Sequence, residues 1–540
     1  MKNLTSDLYP VLSPRAPRGT AQEIGDPVCG ITSLDGLCYA ARGKLFYGGG
    51  KVAEMGLSEG EKQLVPFGAY LIVLPDKMWL NTVDGEFGYC ETARQFQGQL
   101  SALWCKTDGT PYEGVVAWDE DYAPDNHEQH PVKDGVLYEW SEELGDWTKA
   151  VGACLKMIFP GIGEAFGEKS VVMFEQDDEF FRVIPLQGRE IVIQSGGNDW
   201  IVIEGRMDRV RLEAQEAQFS IASKMPTMDF CFEHENRLWG CRYGLNNSGK
   251  FVNEIYASEL GDFKSWSTGK GISTDGYVAS CGTDGPWTGA VRSGGYPLFF
   301  KENYLHKVYG DYPANYQISV TECRGIKAGC HKSAVTVNEV LYYLSRSGVC
   351  AYDGSLPVCV SEALGTCRYG GGVAGRLGNK YYISMEDEEM GYSLYAYDTS
   401  RGMWHREDEL QAVQMCTVGD VLYMLSADGL VTIGGESTEH RVQWSCETGV
   451  ICDTEPEHKY VKSISVRMEA APGSRVRFFA QYDSTGSWLH LGEYTGKSRD
   501  SIHIPLRIRR CDHLRLRIEG EGEAKIYSFD MMFEMGSVYR

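Results

Sequence analysis

Val421-Leu422-Tyr423-Met424-Leu425, then Ser426-Ala427-Asp428-Gly429, then Leu430-Val431-Thr432-Ile433 is the stretch that decides the fold. Two short runs of strand formers flank a polar turn, which is how a β-hairpin reads. The plan recurs at 237–241 with 254–258, 296–300 with 304–308, 340–344 with 349–354 and 380–384 with 394–398. An aromatic strand is followed by a polar turn and a second strand that often ends in Asp plus a small residue. A Trp then follows, as in Asp398 to Trp404. The spacing is about 40 residues, as between Trp404 and Trp444. Units of about 40 to 50 residues with four short strands each are propeller blades. One such sheet cannot bury both its faces; packing sheets around an axis buries them and leaves only short edges.

The same grammar runs through 27–84, in Lys44-Leu45-Phe46-Tyr47 and Gly68-Ala69-Tyr70-Leu71-Ile72-Val73-Leu74. Residues 85–222 break it. This stretch is too long for a loop without structure of its own, so it reads as an inserted small β-rich domain. It holds the acidic run Trp118-Asp119-Glu120-Asp121, an irregular or helical piece over 151–166, and strands near 171–174, 181–185, 190–194 and 200–204. The propeller is then 27–84 with 223–450, or 286 residues: about 41 for each of seven blades, or 48 for each of six. From 451 to 540 the pattern alternates strictly. Leu514-Arg515-Leu516-Arg517-Ile518 puts aliphatics on one face and cations on the other, which suits a C-terminal β-sandwich. The expected fold is therefore all-β: a six- to eight-bladed β-propeller, an inserted β-rich domain and a C-terminal β-sandwich.

Residues 1–26 have too little apolar periodicity for a core. Tyr9-Pro10, Ser13-Pro14 and Ala16-Pro17 favour extended backbone, and Arg15 and Arg18 add cations. An extended arm of that length spans up to about 86 Å. It reads either as a frayed end or as a strap on a neighbour, with Tyr9, Pro10, Pro14, Arg15 and Arg18 as the interaction candidates.

Lys and Arg number 52 against 75 Asp and Glu, a net charge of −23, which disfavours non-specific nucleic-acid binding. Glycine, at 63 of 540 residues, suits many tight turns. No apolar run approaches the ~20 residues of a membrane span, and no secretory leader is visible. The 17 cysteines form no CxxC pair, so they read as reduced, mostly buried thiols of a protein made in a reducing cytoplasm.

Sites of chemistry are weak. His127 and His130 have a metal-pair spacing beside Asp125 and Glu128, but prolines flank them and a solvated loop is the better reading. Cys231, His234 and Cys241 lie on an alternating strand pair and read as packing. Cys323, Cys330 and His331 suggest a thiol and a base, yet neighbours on a strand point to opposite faces. Tyr482-Asp483-Ser484-Thr485-Gly486-Ser487-Trp488 departs by one residue from a sialidase Asp-box and reads as a hairpin turn. No phosphate loop is present. These readings give no cofactor, no metal and no catalytic residue.

The arm, from Leu4-Thr5-Ser6-Asp7-Leu8-Tyr9-Pro10 to Arg18-Gly19, resembles that of tail-associated propeller proteins of bacteriophages and prophages. So do Glu235-Asn236-Arg237-Leu238-Trp239-Gly240 and the segment from Ile255 to Trp266, where Leu238 and Trp239 pack between blades and Arg237 pairs with acidic neighbours. Trp140 with Trp147, Pro160-Gly161-Ile162-Gly163, and Arg509 to Gly520 match as well. The chain is thereby similar to phage stabilisation (tail hub) proteins. The resemblance implies a non-enzymatic virion structural protein in the tail, made in the host cytoplasm. Its partners would be other phage tail or connector proteins, within a homo-oligomeric ring. The alternatives are a glycan- or receptor-binding propeller at the tail tip, suited by the chain's many Tyr and Trp, and a polysaccharide-cleaving tail enzyme.

Overall fold

The computed structural model describes residues 1–20, 28–118, 126–166, 168, 170–175, 182–186, 188–246, 249–268, 271–365, 368–452, 459–505 and 510–535. Among the described residues the fold is all-β, with four-stranded sheets that repeat the blade plan, an inserted barrel and a C-terminal sheet. The chain forms two compact units, Met1–Lys62 with Glu322–Arg540, and Gln63–Thr321.

The hairpins form where the sequence supplies the turn residues. Glu235 and Asn236 link Phe230–His234 to Arg237–Leu245, and Asn338 and Glu339 link Val335–Val337 to Val340–Ser345. All four have positive φ, the geometry of a two-residue turn whose twist matches its strands. The strands between such turns carry apolar side chains on both faces, as in Val340–Ser345, because each sheet is covered on both sides.

In the unit of 1–62 and 322–540, the sheet of Gln414–Val418, Val421–Ser426 and Gly429–Ile433 takes its fourth strand from Gly19–Thr20. Gly19 is required there, because a Cβ would lie 2.1 Å from the Glu436 carbonyl oxygen. Gln414 ties this sheet to that of Val28–Ser33: its side-chain oxygen accepts from the Ile31 N–H at 2.7 Å, and its amide donates to the Lys62 carbonyl at 3.0 Å. In the unit of 63–321, Leu238 packs in the core shared with Val65, Phe67 and Ile72, while Trp239 packs with Phe299 and Val308 in the next. Neighbours on one strand thus serve two different inter-blade cores. Arg237 departs from expectation: it is buried and donates to the carbonyls of Ser258 and Ser273 at 2.7 Å, and to that of Asp275. It satisfies loop backbone that would otherwise be orphaned, rather than pairing with acids.

The insert is a closed six-stranded barrel. Thr92–Cys105 and Arg211–Ser223 pair along most of their length, and Cys154–Ile158, Trp200–Ile203, Glu190–Gly197 and Val171–Glu175 complete it. Leu100, Leu155, Phe174, Ile193, Ile203 and Phe219 fill the core. The barrel's first and last strands place the insertion points at Thr92 and Ser223. Residues 182–186 form no strand, and 151–166 contains both a strand, Cys154–Ile158, and a single helical turn, Ile162–Ala165. A second, four-stranded sheet of Val115–Ala117, His130–Lys133, Val136–Ser141 and Asp146–Lys149 packs Val132 and Leu137 into the barrel core. Asp119, Glu120 and Asp121 of the acidic run lie outside the described residues.

The C-terminal domain is built on the 24-residue strand Lys459–Tyr482. Its first half pairs with Ala524–Met535 and its second with Leu514–Glu521, with a register break between Ala470 and Arg475. Both halves face one core of Ile464, Val466, Val476, Phe478, Leu516 and Ile526. Trp444 belongs to this core, on the strand Gln443–Glu447 that pairs with Leu514–Glu521. Its spacing from Trp404 is therefore no blade repeat, and the domain begins before residue 451.

The arm packs on its own chain. Leu4–Thr5 pairs with Ser13–Pro14, Lys2 and Leu12 bridge to Ser445 and Ile526, and Leu4 enters the C-terminal core. Arg15 and Arg18 are each only 7% exposed. Arg15 holds Glu439 at 2.7 Å; Arg18 holds Glu407 at 2.6 Å and also Asp408. The chain's own carboxylates take both cations because charge removed from water must be paired close by.

Candidate functional site

Within the unit of 63–321, a cavity of about 270 Å³ is lined by both the barrel and the blade of Phe230–Ser280. The strand Phe251–Ala257 supplies one wall. Its period of two turns Val252, Glu254 and Tyr256 to the same side, and all three line the cavity, as do Trp266 and Tyr277. The barrel supplies Glu190, at the first position of Glu190–Gly197, and Lys224 lies just beyond Ser223.

Two carboxylates line it in different surroundings. Glu254 is gripped on its own blade: the Tyr256 hydroxyl donates to it at 2.7 Å and the Ser280 hydroxyl at 3.4 Å. Glu190 has no such donors. Burial first, and the charge of Glu254 second, hold its carboxyl above the usual carboxylate range. The residue is exposed at the rim of the cavity, so the group is reachable and the upward push of burial on it is modest. Burial, with the bond to Glu254, also raises the Tyr256 phenol, which stays a donor. The indole N–H of Trp266 is buried without a hydrogen-bond partner. Lys224 is paired with Glu175. A carboxyl disposed to keep its proton, a second carboxylate nearby and aromatic walls are the parts of a general acid–base site.

The residues singled out in the arm lie elsewhere. Tyr9 and Pro10 are exposed in a turn, Pro14 is half-buried in a two-residue strand, and Arg15 and Arg18 are buried. Both arginines line a second cavity of about 450 Å³ with Lys380, Arg401, Asp398 and Glu407. Its charges satisfy one another: Lys380 with Asp7 and Arg401 with Asp398, both at 2.7 Å, beside the pairs of Arg15 and Arg18. That network fastens the arm.

Among the other sequence candidates, His127 stacks on Trp140 at 3.7 Å, while the His130 Nδ1–H donates to the Glu113 carbonyl at 3.0 Å. Cys231 and Cys241 are buried in two different inter-blade cores. Cys330 precedes a one-turn helix that begins at His331. The Tyr482–Trp488 segment forms a turn, with Asp483 and Ser484 at positive φ. No group of three His, Cys, Asp or Glu arranged to hold a metal occurs among the described residues. Sequence reasoning missed Glu190 and Glu254. The Glu-x-Tyr alternation at 254–256 was the available signal, but its partner lies in the insert, and only the fold brings them together.

No protein-family model and no curated protein matches the chain. Solved structures do. An exo-β-1,3-galactanase from Phanerochaete chrysosporium with β-1,3-galactotriose is 7% identical, covering 55% of this chain and 95% of that one at a TM-score of 0.22. A family 43 arabinoxylan arabinofuranohydrolase from Bacillus subtilis is 10% identical over 56% of this chain and 94% of its own, at 0.16. The extracellular domain of a hybrid two component system from B. thetaiotaomicron is 10% identical over 93% and 89%, at 0.23. The expectation of a non-enzymatic chain is corrected here. Glycoside hydrolases are among the solved structures that the chain is similar to. At this level of likeness none of their activities passes to this chain.

Proposed function

We propose that the chain acts on carbohydrate, binding a glycan in the Glu190–Glu254 cavity and cleaving it by general acid–base chemistry. The observation that carries this reading is the cavity lined by Glu190 and Glu254 together with Tyr256, Trp266 and Tyr277; partial burial and the charge of Glu254 push the Glu190 carboxyl upward. Glu190 in its protonated form donates to the glycosidic oxygen as the bond to the sugar breaks. Glu254, oriented by Tyr256 and Ser280, is the second carboxylate: it stabilises the positive charge that develops on the sugar ring and takes the proton of the water that adds to the anomeric carbon, so that a bond to water replaces the one broken, and that proton returns through solvent to Glu190. The aromatic walls offer flat faces to the C–H side of a pyranose.

The resemblance of the arm and of 235–266 to phage tail propellers supports a tail as the setting, with other tail proteins as partners. A propeller acting on surface carbohydrate would serve there at the host envelope.

The test is release of reducing ends from a panel of bacterial surface polysaccharides. Release by the wild-type protein, lost in Glu190→Gln with unchanged melting, supports the assignment. Equal release by Glu190→Gln and Glu254→Gln, or none from any substrate that the protein binds, refutes it.

A further inference from the structure

We infer that Cys350 and Cys359 form a redox site, a dithiol that closes to a disulfide by exchange with a small-molecule disulfide and reopens in excess thiol. The inference is independent of the carbohydrate reading. The two residues lie on neighbouring strands of one sheet, Gly348–Tyr352 and Val358–Cys359, directly opposite each other in the antiparallel ladder. Next to them, the Val360 N–H donates to the Val349 carbonyl at 2.9 Å. Cys350 and Cys359 therefore form the kind of pair that exchanges no ladder hydrogen bonds, in which Cα atoms stand about 4.5 Å apart and side chains are closest. A disulfide spans Cα atoms about 4.4–6.8 Å apart. Residues directly opposite share a face, so these sulfurs can meet by side-chain rotation.

Both sulfurs gather at one hairpin turn. The Cys350 thiol donates to the Ser345 hydroxyl at 3.2 Å, and the Cys359 sulfur lies 3.6 Å from the Ser347 carbonyl oxygen. Gly348 closes that turn with φ at +113°, and a Cβ there would lie 3.5 Å from the Cys359 sulfur and 2.2 Å from Ser361 Oγ. Glycine leaves the space that the sulfur uses.

Access separates this pair from a second one. Cys105 and Cys154 are also directly opposite, on Thr92–Cys105 and Cys154–Ile158, but both are buried in the barrel. Cys350 is buried as well, whereas Cys359 is half-buried on the edge strand of its sheet. A reagent in solvent reaches Cys359 first, and exchange starts at an accessible thiolate. Having lost its proton to solvent, Cys359 attacks one sulfur of the small disulfide. That S–S bond breaks; one half leaves as a thiolate and is protonated, and the other stays on Cys359. Cys350, losing its own proton to solvent, attacks the Cys359 sulfur and expels the second half. Two protein thiols are oxidised by two electrons, and one small disulfide is reduced to two thiols. The new bond fixes an edge that otherwise pairs over two residues. The Val360 carbonyl beside it accepts from the Trp404 indole of the strand Met403–Arg406 at 2.7 Å.

The experiment incubates the full chain, reduced and freed of reductant, with oxidised glutathione and quenches it with N-ethylmaleimide. Peptides are mapped after digestion with trypsin, Asp-N and Glu-C, which separates Cys350, Cys359 and Cys367; Cys367 lies outside the described residues. The expected product is 347–352 joined to 353–362, lost again in dithiothreitol, with slower hydrogen exchange at Val360 while joined. Cys350→Ser should stop at a glutathione adduct on Cys359, and Cys359→Ser should leave Cys350 reduced. A wild-type chain in which Cys359 stays unmodified, carries glutathione without closing, or pairs with Cys367 or another cysteine would overturn the proposal. So would closure of Cys105 with Cys154 as fast as that of Cys350 with Cys359.

Discussion

Arg18→Met removes one guanidinium from a site where two carboxylates depend on it, while keeping most of the side-chain volume. Arg18 holds Glu407 at 2.6 Å and also reaches Asp408, and the Glu407 side chain is only 3% exposed. Desolvation works against the guanidinium, yet the charges of Glu407 and Asp408 outweigh it and hold Arg18 above its ordinary range. Breaking a buried pair by removing one partner costs about 3–5 kcal/mol, because the other charge stays behind. Two features place this case at the low end. Arg15 remains 3.7 Å from Glu407, and the Asp408 side chain is 23% exposed and can turn to water. The expected loss is about 3 kcal/mol. At about 2–4 °C per kcal/mol for a body of 150–250 residues, the transition of the arm-bearing unit falls by about 6–12 °C. Tryptophan fluorescence during heating, with limited trypsin digestion to follow residues 1–20, reads both effects. Adding Glu407→Leu should recover more than half of the loss, since the stranded charge is then gone. A single variant that melts within about 1 °C of wild type, with the arm no more readily cut, would show that these pairs do not hold the arm.

Acid should weaken the fold before its carboxylates titrate. Burial, then the nearby lysines Lys301 and Lys380, push the pKa values of His306 and His405 down to about 4. The unfolded chain takes up these protons near 6.5, so their contribution is intact above 6.5 and is lost as pH falls toward 4. Melting temperature should drop across that window, and His405→Gln should flatten part of the slope; a flat profile from 7 to 4 would contradict the burial argument. The thiols should react in order of access. Burial pushes Cys90, Cys105 and Cys416 up to about 12, whereas Cys452 is exposed. Iodoacetamide at pH 8 with mass spectrometry should label Cys452 first, and early labelling of Cys105 would refute that order.

What was legible in the sequence was local. Hairpins announce themselves because turn residues such as Glu235-Asn236 and the alternation beside them lie within a few positions of each other. The arm's contacts with its own chain were illegible for the converse reason. Prolines and low apolar content describe an extended segment equally well whether it waves in solvent or completes a sheet. Nothing near Gly19 reveals that Thr432 is its partner. Arg15 and Arg18 pointed to a carboxylate surface, correctly, but that surface is the chain's own. Trp444 failed differently: a strand tryptophan looks the same in a blade as in the C-terminal core, and only the pairing of Gln443–Glu447 with Leu514–Glu521 separates them.

The candidate site follows the same logic one level up. Sequence motifs reveal catalytic groups that lie close together along the chain. Glu190 and Glu254 come from an inserted barrel and from the blade that follows it, so neither has a motif around it. Each taken alone is one of 75 acidic residues. What distinguishes Glu190 is its surroundings: a cavity rim shared with aromatic walls and the charge of Glu254 beside it. Those are properties of the folded unit. In a propeller interrupted by an insert, functional groups gather where the insert meets a blade, because that is where side chains from unrelated strands come together around a cavity.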